Sequence, residues 1–232
     1  MSLPEYQLTR SRKRKTISLQ VKAGKVRVLA PMHVTIEYID QLISKKASWL
    51  LSKVNEQLNY LENKLEKQYQ SGDAFYYLGK PYQLLVRTTN IADDGLYSVS
   101  IDAENIIVDI AGDHNSDYIQ QALKIWYQQQ AEKILKTRLT LMEAKTGLTS
   151  TKLKVRHYKT RWGSCNSKKQ INLNSLLVMA KEDVIDYVIV HELCHTIHMN
   201  HSSLFWQLVE QNCPDYKLYK AWLKSHQDFL TW

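Results

Sequence analysis

One segment constrains both the fold and the chemistry, because it sets polar residues into an otherwise apolar helix. Residues 183–199 read DVIDYVIVHELCHTIHM, and valine, isoleucine, leucine and cysteine cover nearly every face of the predicted helix. His191, Glu192 and His195 interrupt that apolar surface. Buried polar groups cost several kcal/mol unless they find partners. A bound metal ion is the simplest single partner for this group of side chains.

The spacing of these residues is the HExxH pattern. Four residues advance about 400° on an α-helix, so His191 and His195 lie one turn apart on the same face. Both imidazoles can then bind one ion at about 2.0–2.1 Å. Glu192 is rotated by about 100° from His191, which places it beside a metal-bound water, where a general base belongs.

The third ligand has two candidates, His201 and His198. His201 follows His195 by six residues and comes after Asn200, which tolerates the left-handed conformation that turns a chain. His198 lies seven residues beyond His191, near the same helical face but two turns along the axis. We expect His201 to be the ligand, with His198 as the alternative.

A site with three imidazole ligands leaves a fourth position open. Structural zinc sites are usually closed by four protein ligands, whereas catalytic sites keep one position for water or substrate. Zinc lowers the pKa of its bound water towards about 7, and the neighbouring carboxylate of Glu192 can then take the proton. The expected cofactor is therefore Zn²⁺, in a catalytic site.

Charge is the second informative feature, with 31 Lys and Arg against 23 Asp and Glu and a net charge of +8. Five of the six residues 10–15 are basic, and residues 151–169 contain seven basic residues and no acidic one. Such patches can bind nucleic acid or nucleotides. However, Lys152, Lys154 and Arg156 alternate with other residues, as on the solvent-facing side of a strand, and we favour that interpretation.

Cysteine usage and hydropathy indicate a cytoplasmic protein. The three cysteines, Cys165, Cys194 and Cys213, form neither a disulfide framework nor a CxxC pair, so each is expected to be a small buried hydrophobe. No run of about 18 apolar residues occurs, which excludes a membrane-spanning helix. The basic N-terminus is followed by polar residues where a signal peptide needs an apolar stretch.

The hydrophobic patterns predict strands first and helices later. Strand-like runs lie within residues 12–111, with a helical pattern over 36–70 inserted among them, and we expect one antiparallel sheet there. The segments predicted after it are a helix over 116–147, strands at 153–158 and 171–176, the helix 183–199 and a helical tail over 202–232. The loop signal AGDHNSD divides the chain into an N-terminal region, 1–112, and a metal-binding catalytic region, 113–232.

The chain resembles the YgjP-like metallopeptidases, relatives of SprT-like and Wss1-like zincins. The residues that carry the resemblance are HELCHTIHMNHSSLFW, preceded by RWGSC, INLNSLL and DYVIVHELCH, with SRKRKTISLQV near the N-terminus. The spacing HExxHxxxxxH also matches metzincins, but His198 stands where those have glycine, and no Met-turn is found.

The resemblance implies that His191, His195 and His201 bind the metal, that Glu192 is catalytic, and that an edge strand at 171–176 lies beside the site. We therefore expect an α+β fold. Its parts are an N-terminal antiparallel β-sheet region with an inserted helix and a C-terminal zincin-like helical unit with an edge strand beside the metal site.

The leading function is zinc-dependent hydrolysis of peptide bonds by a metal-bound water that Glu192 activates. Family members include nucleotide-hydrolysing enzymes, so a metal-dependent nucleoside-triphosphate (for example UTP) pyrophosphatase is the alternative, with residues 151–169 holding phosphates. A nucleic-acid-associated zinc protease is a second alternative. Arg161 could stabilise an oxyanion or bind a phosphate, or else pack on Trp162. Asn172 and Asn174 share a strand face and could contact substrate.

Overall fold

The computed structural model describes residues 4–22, 24–63, 67–89, 97–112, 115–226 and 230, with the backbone alone for 56–63. The chain divides into two compact units, Met1–Glu66 and Lys67–Trp232, and each has its own hydrophobic core. The boundary expected near residue 112 thus lies inside the second unit. The reason is that the strands preceding residue 112 share a core with the helices that follow it.

The first unit is a three-stranded sheet packed on helices. Its elements are β1 (Tyr6–Ser11), β2 (Ser18–Lys22), β3 (Lys25–Pro31), α1 (Ile36–Lys45) and α2 (Ala47–Asn63). Strand β3 is central, parallel to β1 and antiparallel to β2, so the sheet is mixed and not antiparallel as expected. Val26 and Val28 face a core that includes Ile39, Ile43 and Leu50 from the helices. Between β2 and β3, Gly24 has a positive φ, and Ala23 lies outside the described residues.

The second unit begins with a four-stranded sheet in the order β4-β5-β7-β6. Its strands are β4 (Ala74–Tyr77), β5 (Lys80–Thr89), β6 (Tyr97–Ile101) and β7 (Asn105–Ala111). β5 and β7 are parallel and the other pairs antiparallel, so the single antiparallel sheet expected over 12–111 is in fact two mixed sheets in different units. Residues 90–96, which follow β5, lie outside the described part of the chain.

A long helix, α3 (Ser116–Thr146), follows the sheet as predicted. The Asn115 side chain caps its start by accepting hydrogen bonds from the backbone N–H groups of Asp117 and Tyr118. Gly147 ends it in the left-handed conformation with φ of 70°. Helix α3 packs against α4 (Glu182–Cys194) and against the 3₁₀ turn that precedes α4. It therefore supports the helix that carries HExxH.

A third small sheet lies beside α4, in the order β8-β10-β9. Its strands are β8 (Lys152–Arg156), β9 (Gly163–Cys165) and β10 (Gln170–Asn174), followed by a 3₁₀ turn, Ser175–Met179. The expected edge strand at 171–176 is wrong, because β10 is paired on both sides. The edge strand in contact with α4 is β9. Its three residues are too few to produce a readable alternation.

Two helices follow the site, α5 (Ser203–Asn212) and α6 (Tyr216–His226), within the helical tail predicted over 202–232. Residues 227–229, 231 and 232 of that tail lie outside the described part of the chain. The expected α+β fold is therefore confirmed, with strands first and helices after them. Within the described residues, no helix is both long enough and apolar enough to span a bilayer.

Candidate metal centre

Helix α4 holds the site in a largely apolar setting. Its side chains Val188, Ile189, Val190, Leu193 and Cys194 are buried. Within the described chain the buried polar or charged residues are only four, Asn174, Ser175, Glu192 and His195. Two of these four belong to HExxH, so the polar intrusion that the sequence indicated is present in the structure.

The three predicted ligands come together. One ligand atom from each of His191, His195 and His201 lies within 4.8 Å of the others. The Nε2 atoms of His191 and His201 are 3.1 Å apart. Two nitrogens that bind one tetrahedral zinc at about 2.0–2.1 Å would be about 3.3 Å apart, which is close to this separation.

His198 does not lie on a continuation of α4, although that position was the reason to consider it a candidate ligand. Helix α4 ends at Cys194 rather than near residue 199, and His195 is its C-cap. The last turn tightens because the N–H and the hydroxyl of Thr196 both donate to the carbonyl of Leu193, at 2.9 and 2.7 Å. The turn brings the backbone carbonyl of His198, not its imidazole, to the site, where it accepts a hydrogen bond from His195 Nδ1 at 2.9 Å.

That hydrogen bond determines the tautomer of His195. A carbonyl oxygen only accepts, so Nδ1 must carry the proton, and Nε2 of the neutral ring is left with a free lone pair. Bonds of this kind orient metal-binding histidines in proteins. The His198 carbonyl therefore prepares His195 to bind through Nε2.

Burial keeps the imidazoles neutral, which is the form that binds metals. Burial lowers the pKa of His191 to about 3, and the nearby His195, His201 and Lys220 act in the same direction. Burial likewise lowers the pKa of His195. His191 Nδ1 and Glu192 Oε2 are buried and have no hydrogen-bond partner among the described residues. Three converging imidazoles, two of them kept neutral by burial, beside a carboxylate oxygen without a partner in the described chain fit a divalent cation of the zinc type.

Glu192 is the buried acid of the site, with 5% of its surface exposed. Burial raises the pKa of its carboxyl group to about 8, and the Arg161 guanidinium opposes the shift. On its other side it meets the backbone of β9. A Cβ added at Gly163 would lie 2.5 Å from Glu192 Oε1 and 2.7 Å from its Cγ.

The predicted substrate contacts have different surroundings, and Asn172 Nδ2 donates to the Ser164 hydroxyl at 3.3 Å. Arg161 is exposed, and its guanidinium lies over the Tyr158 ring, 4.6 Å from the ring centroid. Asn174 is buried, and its Nδ2 donates to the carbonyls of Tyr158 and Arg161 at 2.8 and 2.9 Å. Its Oδ1 accepts from the N–H of Leu176 at 3.1 Å. The Asn174 amide thus anchors the loop that carries Arg161 and has no donor left for a substrate.

Aromatic rings form a wall that the sequence analysis did not assign to the site. Phe205 stacks on His195 with ring centroids 4.4 Å apart, and Trp206 stacks on His201 at 5.6 Å. Trp206 also stacks on Tyr216 at 5.4 Å, and the Lys220 ammonium lies 4.3 Å from its ring centroid. The indication in the sequence was that Phe205 and Trp206 both lie on the first turn of the helix that follows His201.

The basic strand β8 has the alternation expected of a solvent-facing strand. Lys152, Lys154 and Arg156 are exposed, and Leu153 and Val155 between them are half-buried. The three cysteines are all free thiols; Cys194 is buried and the other two are partly buried.

A helix that carries two histidines and a glutamate, completed by a histidine from the next turn, defines the metallohydrolase class of site. The chain matches the YgjP-like metallopeptidase domain over residues 15–226, and it belongs to that family. It is therefore a metallopeptidase-type hydrolase, and a metal is the cofactor that its family implies.

Two solved metallopeptidase zymogens show partial similarity. Abylysin from Pyrococcus abyssi is 23% identical, with a TM-score of 0.36, over 40% of this chain and 95% of that one. Jannalysin from Methanocaldococcus jannaschii is 21% identical, with a TM-score of 0.32, over 38% of this chain and 93% of that one. No curated protein matches the chain.

Proposed function

We propose that this protein is a zinc-dependent peptidase in which His191, His195 and His201 hold the metal and Glu192 is the general base. One observation carries the proposal. Three imidazoles converge on one point, and the buried carboxylate beside them has an oxygen without a partner in the described chain. Membership of a metallopeptidase family supports the same reaction class.

The chemistry divides between the metal and the chain. Bound zinc supplies Lewis acidity, which polarises a carbonyl group and makes water easier to deprotonate. Glu192 accepts the proton of the attacking water at Oε2 and passes it to the nitrogen of the leaving amine. Burial raises the pKa of Glu192 to about 8 in the metal-free chain. A bound cation would oppose that rise and favour the carboxylate form that accepts the proton.

The edge strand β9 supports a peptide as the substrate. The N–H of Asn174 donates to the carbonyl of Trp162, and the N–H of Asn166 donates to the carbonyl of Gln170, at 2.8 and 3.1 Å. Antiparallel pairs alternate, so the backbone groups of Gly163 and Cys165 face away from β10, towards the free edge. An extended peptide can add to such an edge, and here it would lie next to Glu192.

Arg161 is the proposed oxyanion group of the reaction. Its guanidinium is exposed and near enough to Glu192 to oppose the rise of that pKa. A charged donor at this position would stabilise negative charge that develops on the scissile carbonyl oxygen. The same observation supports the second candidate, a nucleoside-triphosphate pyrophosphatase, because a guanidinium also binds phosphate.

A comparison of substrates tests the proposal. Zinc-loaded protein is incubated with casein and, separately, with UTP and the other nucleoside triphosphates, each beside the Glu192→Gln variant with its zinc content measured. We expect casein cleavage that Glu192→Gln lowers by about 10²–10⁴-fold while zinc is retained. Pyrophosphate release that depends on Glu192, without casein cleavage, would establish the second candidate instead.

A further inference from the structure

The contact between Gly163 and Glu192 suggests a role for a residue with no side chain. A Cβ at position 163 would lie 2.5, 2.7 and 2.9 Å from Oε1, Cγ and Cδ of Glu192. Real Cβ atoms essentially never come within 3.0 Å of another heavy atom, so any side chain at 163 requires Glu192 to move. Gly163 does not have a positive φ, so its own backbone conformation does not require glycine.

We infer that Gly163 is a positioning residue that fixes the Glu192 carboxylate beside the metal site; this rests on the proposed function. Glu192 lies on α4 where that helix packs against β9, and it is 95% buried, so its side chain has little room to change position. Three of its atoms lie within 3.0 Å of the position that a Cβ at residue 163 would take, and the conflict would therefore displace the whole carboxylate. A displacement of about 1 Å in a catalytic group can lower the rate by about 10²-fold.

Gly163→Ala tests the inference. We expect kcat on the best peptide substrate to fall by about 10²-fold, with KM within about threefold and the zinc content unchanged. Gly147→Ala is the matched control, because its added Cβ meets nothing within 4 Å and its strain comes from φ of 70°. That control should lower the melting temperature without changing kcat.

A second measurement is independent of activity. Gly163→Ala should lower the melting temperature of the second unit by about 3–8 °C in the wild-type background, as overpacking does. In the Glu192→Ala background the atoms that clash are absent, and the loss should vanish. An equal loss in both backgrounds, or wild-type kcat in Gly163→Ala, would overturn the positioning role. If no substrate is cleaved at all, the proposed function fails while this thermal cycle still tests Gly163.

A separate feature, the charge of the first unit, carries a second inference. Residues 1–31 contain eight basic residues and one acidic residue, which leaves 23 basic and 22 acidic residues in the remaining 201. Strands β1–β3 turn one face towards the core of their unit. On the other face, here called the outer sheet face, Ser18 and Leu29 are half-buried. Its exposed residues are Gln7, Thr9, Gln20, Lys22, Lys25 and Arg27.

The cations of the outer sheet face do not stabilise the sheet. Lys22 and Lys25 are directly opposite each other on β2 and β3, and like charges in that arrangement are destabilising. Arg12, Lys13 and Lys15, in the loop between β1 and β2, are exposed too. Arg10, in contrast, is used by the fold, because its Nη1 donates to the carbonyls of Met32 and Val34.

We propose that the outer sheet face binds the phosphate backbone of double-stranded nucleic acid. A cluster of exposed Lys and Arg is complementary to the phosphates. The face has no aromatic residue, so it lacks the platforms on which single-stranded bases stack, and its contacts carry no base sequence information.

Two triple variants of the full chain test this surface by fluorescence anisotropy with a labelled duplex. Lys22→Gln, Lys25→Gln and Arg27→Gln together should weaken binding at least tenfold and reduce its salt dependence. Lys152→Gln, Lys154→Gln and Arg156→Gln remove the same charge from β8 and should change it by less than threefold. If the variant of Lys22, Lys25 and Arg27 does not fold, a loop variant replaces it. The loop variant combines Arg12→Gln, Lys13→Gln and Lys15→Gln.

Three results would contradict the proposal for the outer sheet face. The first is that both strand variants weaken binding equally, which would show a response to net charge alone. The second is the absence of duplex binding by the wild type at low salt. The third is binding to vesicles of anionic lipid but not to duplexes, which would assign the face to a membrane surface.

Discussion

Both ends of the apolar helix α4 carry titratable side chains, but the two ends differ in whether these side chains find partners in the protein. At the N-terminal end, Arg138 of α3 forms ion pairs with Asp186 and Glu182. At the C-terminal end, Glu192 Oε2 and His191 Nδ1 are buried and find no partner within the described residues.

This difference separates polar groups that serve the fold from polar groups that serve a ligand. Nearly all buried polar groups in proteins are paired, and an exception requires an explanation. Arg138 and Asp186 are paired within the chain, and they join α3 to α4. The residues at the other end have buried apolar neighbours on α4, and under the proposed function their partner is the metal site.

The largest expected effect is at the metal end. His201→Ala should weaken zinc binding by more than the roughly 10–100-fold that is typical of losing an outer-shell contact. His198→Ala keeps its backbone carbonyl, which is the group that His195 uses, and should bind zinc almost normally. Competition with a chelator measures both. A large loss in His198→Ala alone would assign the third ligand to His198.

The next effect is at the ion-pair end. Arg138→Met leaves the carboxylate of Asp186 partly buried without its partner, and should lower the free energy of unfolding by about 2 kcal/mol after allowance for partial exposure. That corresponds to about 4–8 °C in melting temperature, with kcat unchanged. Lys217→Met, in the exposed pair with Glu210, is the control and should leave the melting temperature unchanged. A loss of kcat in Arg138→Met would show that the two ends are not independent.

A smaller effect concerns the pH dependence of the metal-free protein. Folding lowers the pKa of His191 from its usual 6.5 to about 3, so the neutral ring contributes stability above pH 6.5 that is lost as the pH falls towards 3. Between pH 6.5 and 5 the loss should be about 1–2 kcal/mol. Urea unfolding at several pH values measures it, and His191→Ala should show a shallower dependence. An identical dependence in both proteins would mean that His191 is not buried as described.

The smallest effect comes from the acid itself. Glu192→Gln should stabilise the metal-free protein by about 1 kcal/mol at pH 7.5, because a neutral amide replaces a buried carboxyl group. The pKa of Glu192 is raised to about 8, so its contribution to stability is lost as the pH rises through 8. The advantage of Gln should therefore grow from pH 5 to pH 9. Glu182→Gln, at the exposed ion pair, should gain nothing in the same thermal scans.

Much of the metal end could be predicted from the sequence because its signals are local. The 3.6-residue period fixes the relation between His191 and His195 on any α-helix, whatever packs around it. The apolar residues between them indicated burial in the same way. The choice of His201 over His198 rested on a left-handed turn at Asn200, which is wrong because Asn200 has no positive φ. The chain turns earlier, where α4 ends at Cys194 and Thr196 donates to the carbonyl of Leu193.

The features that were missed depend on contacts between segments distant in sequence. The role of β9 could not be read from three residues, so the edge strand was assigned to the longer and more regular β10. Gly163 gave one indication, because a glycine within a strand often marks the close approach of another group. The sequence does not identify the group that approaches. Asn174 was interpreted from strand alternation alone, whereas its partners lie in the loop before β9.

The stacking of Trp206 on His201 gives the protein an optical reporter of its own. The emission of an indole ring responds to the charge and electron-withdrawing character of its neighbours. Trp206 stacks both on His201, a proposed ligand, and on Tyr216. Arrival of a divalent cation at His201 should therefore change the intrinsic fluorescence of the native chain. Occupancy of the centre can thus be followed in real time without a dye, a label or a substrate.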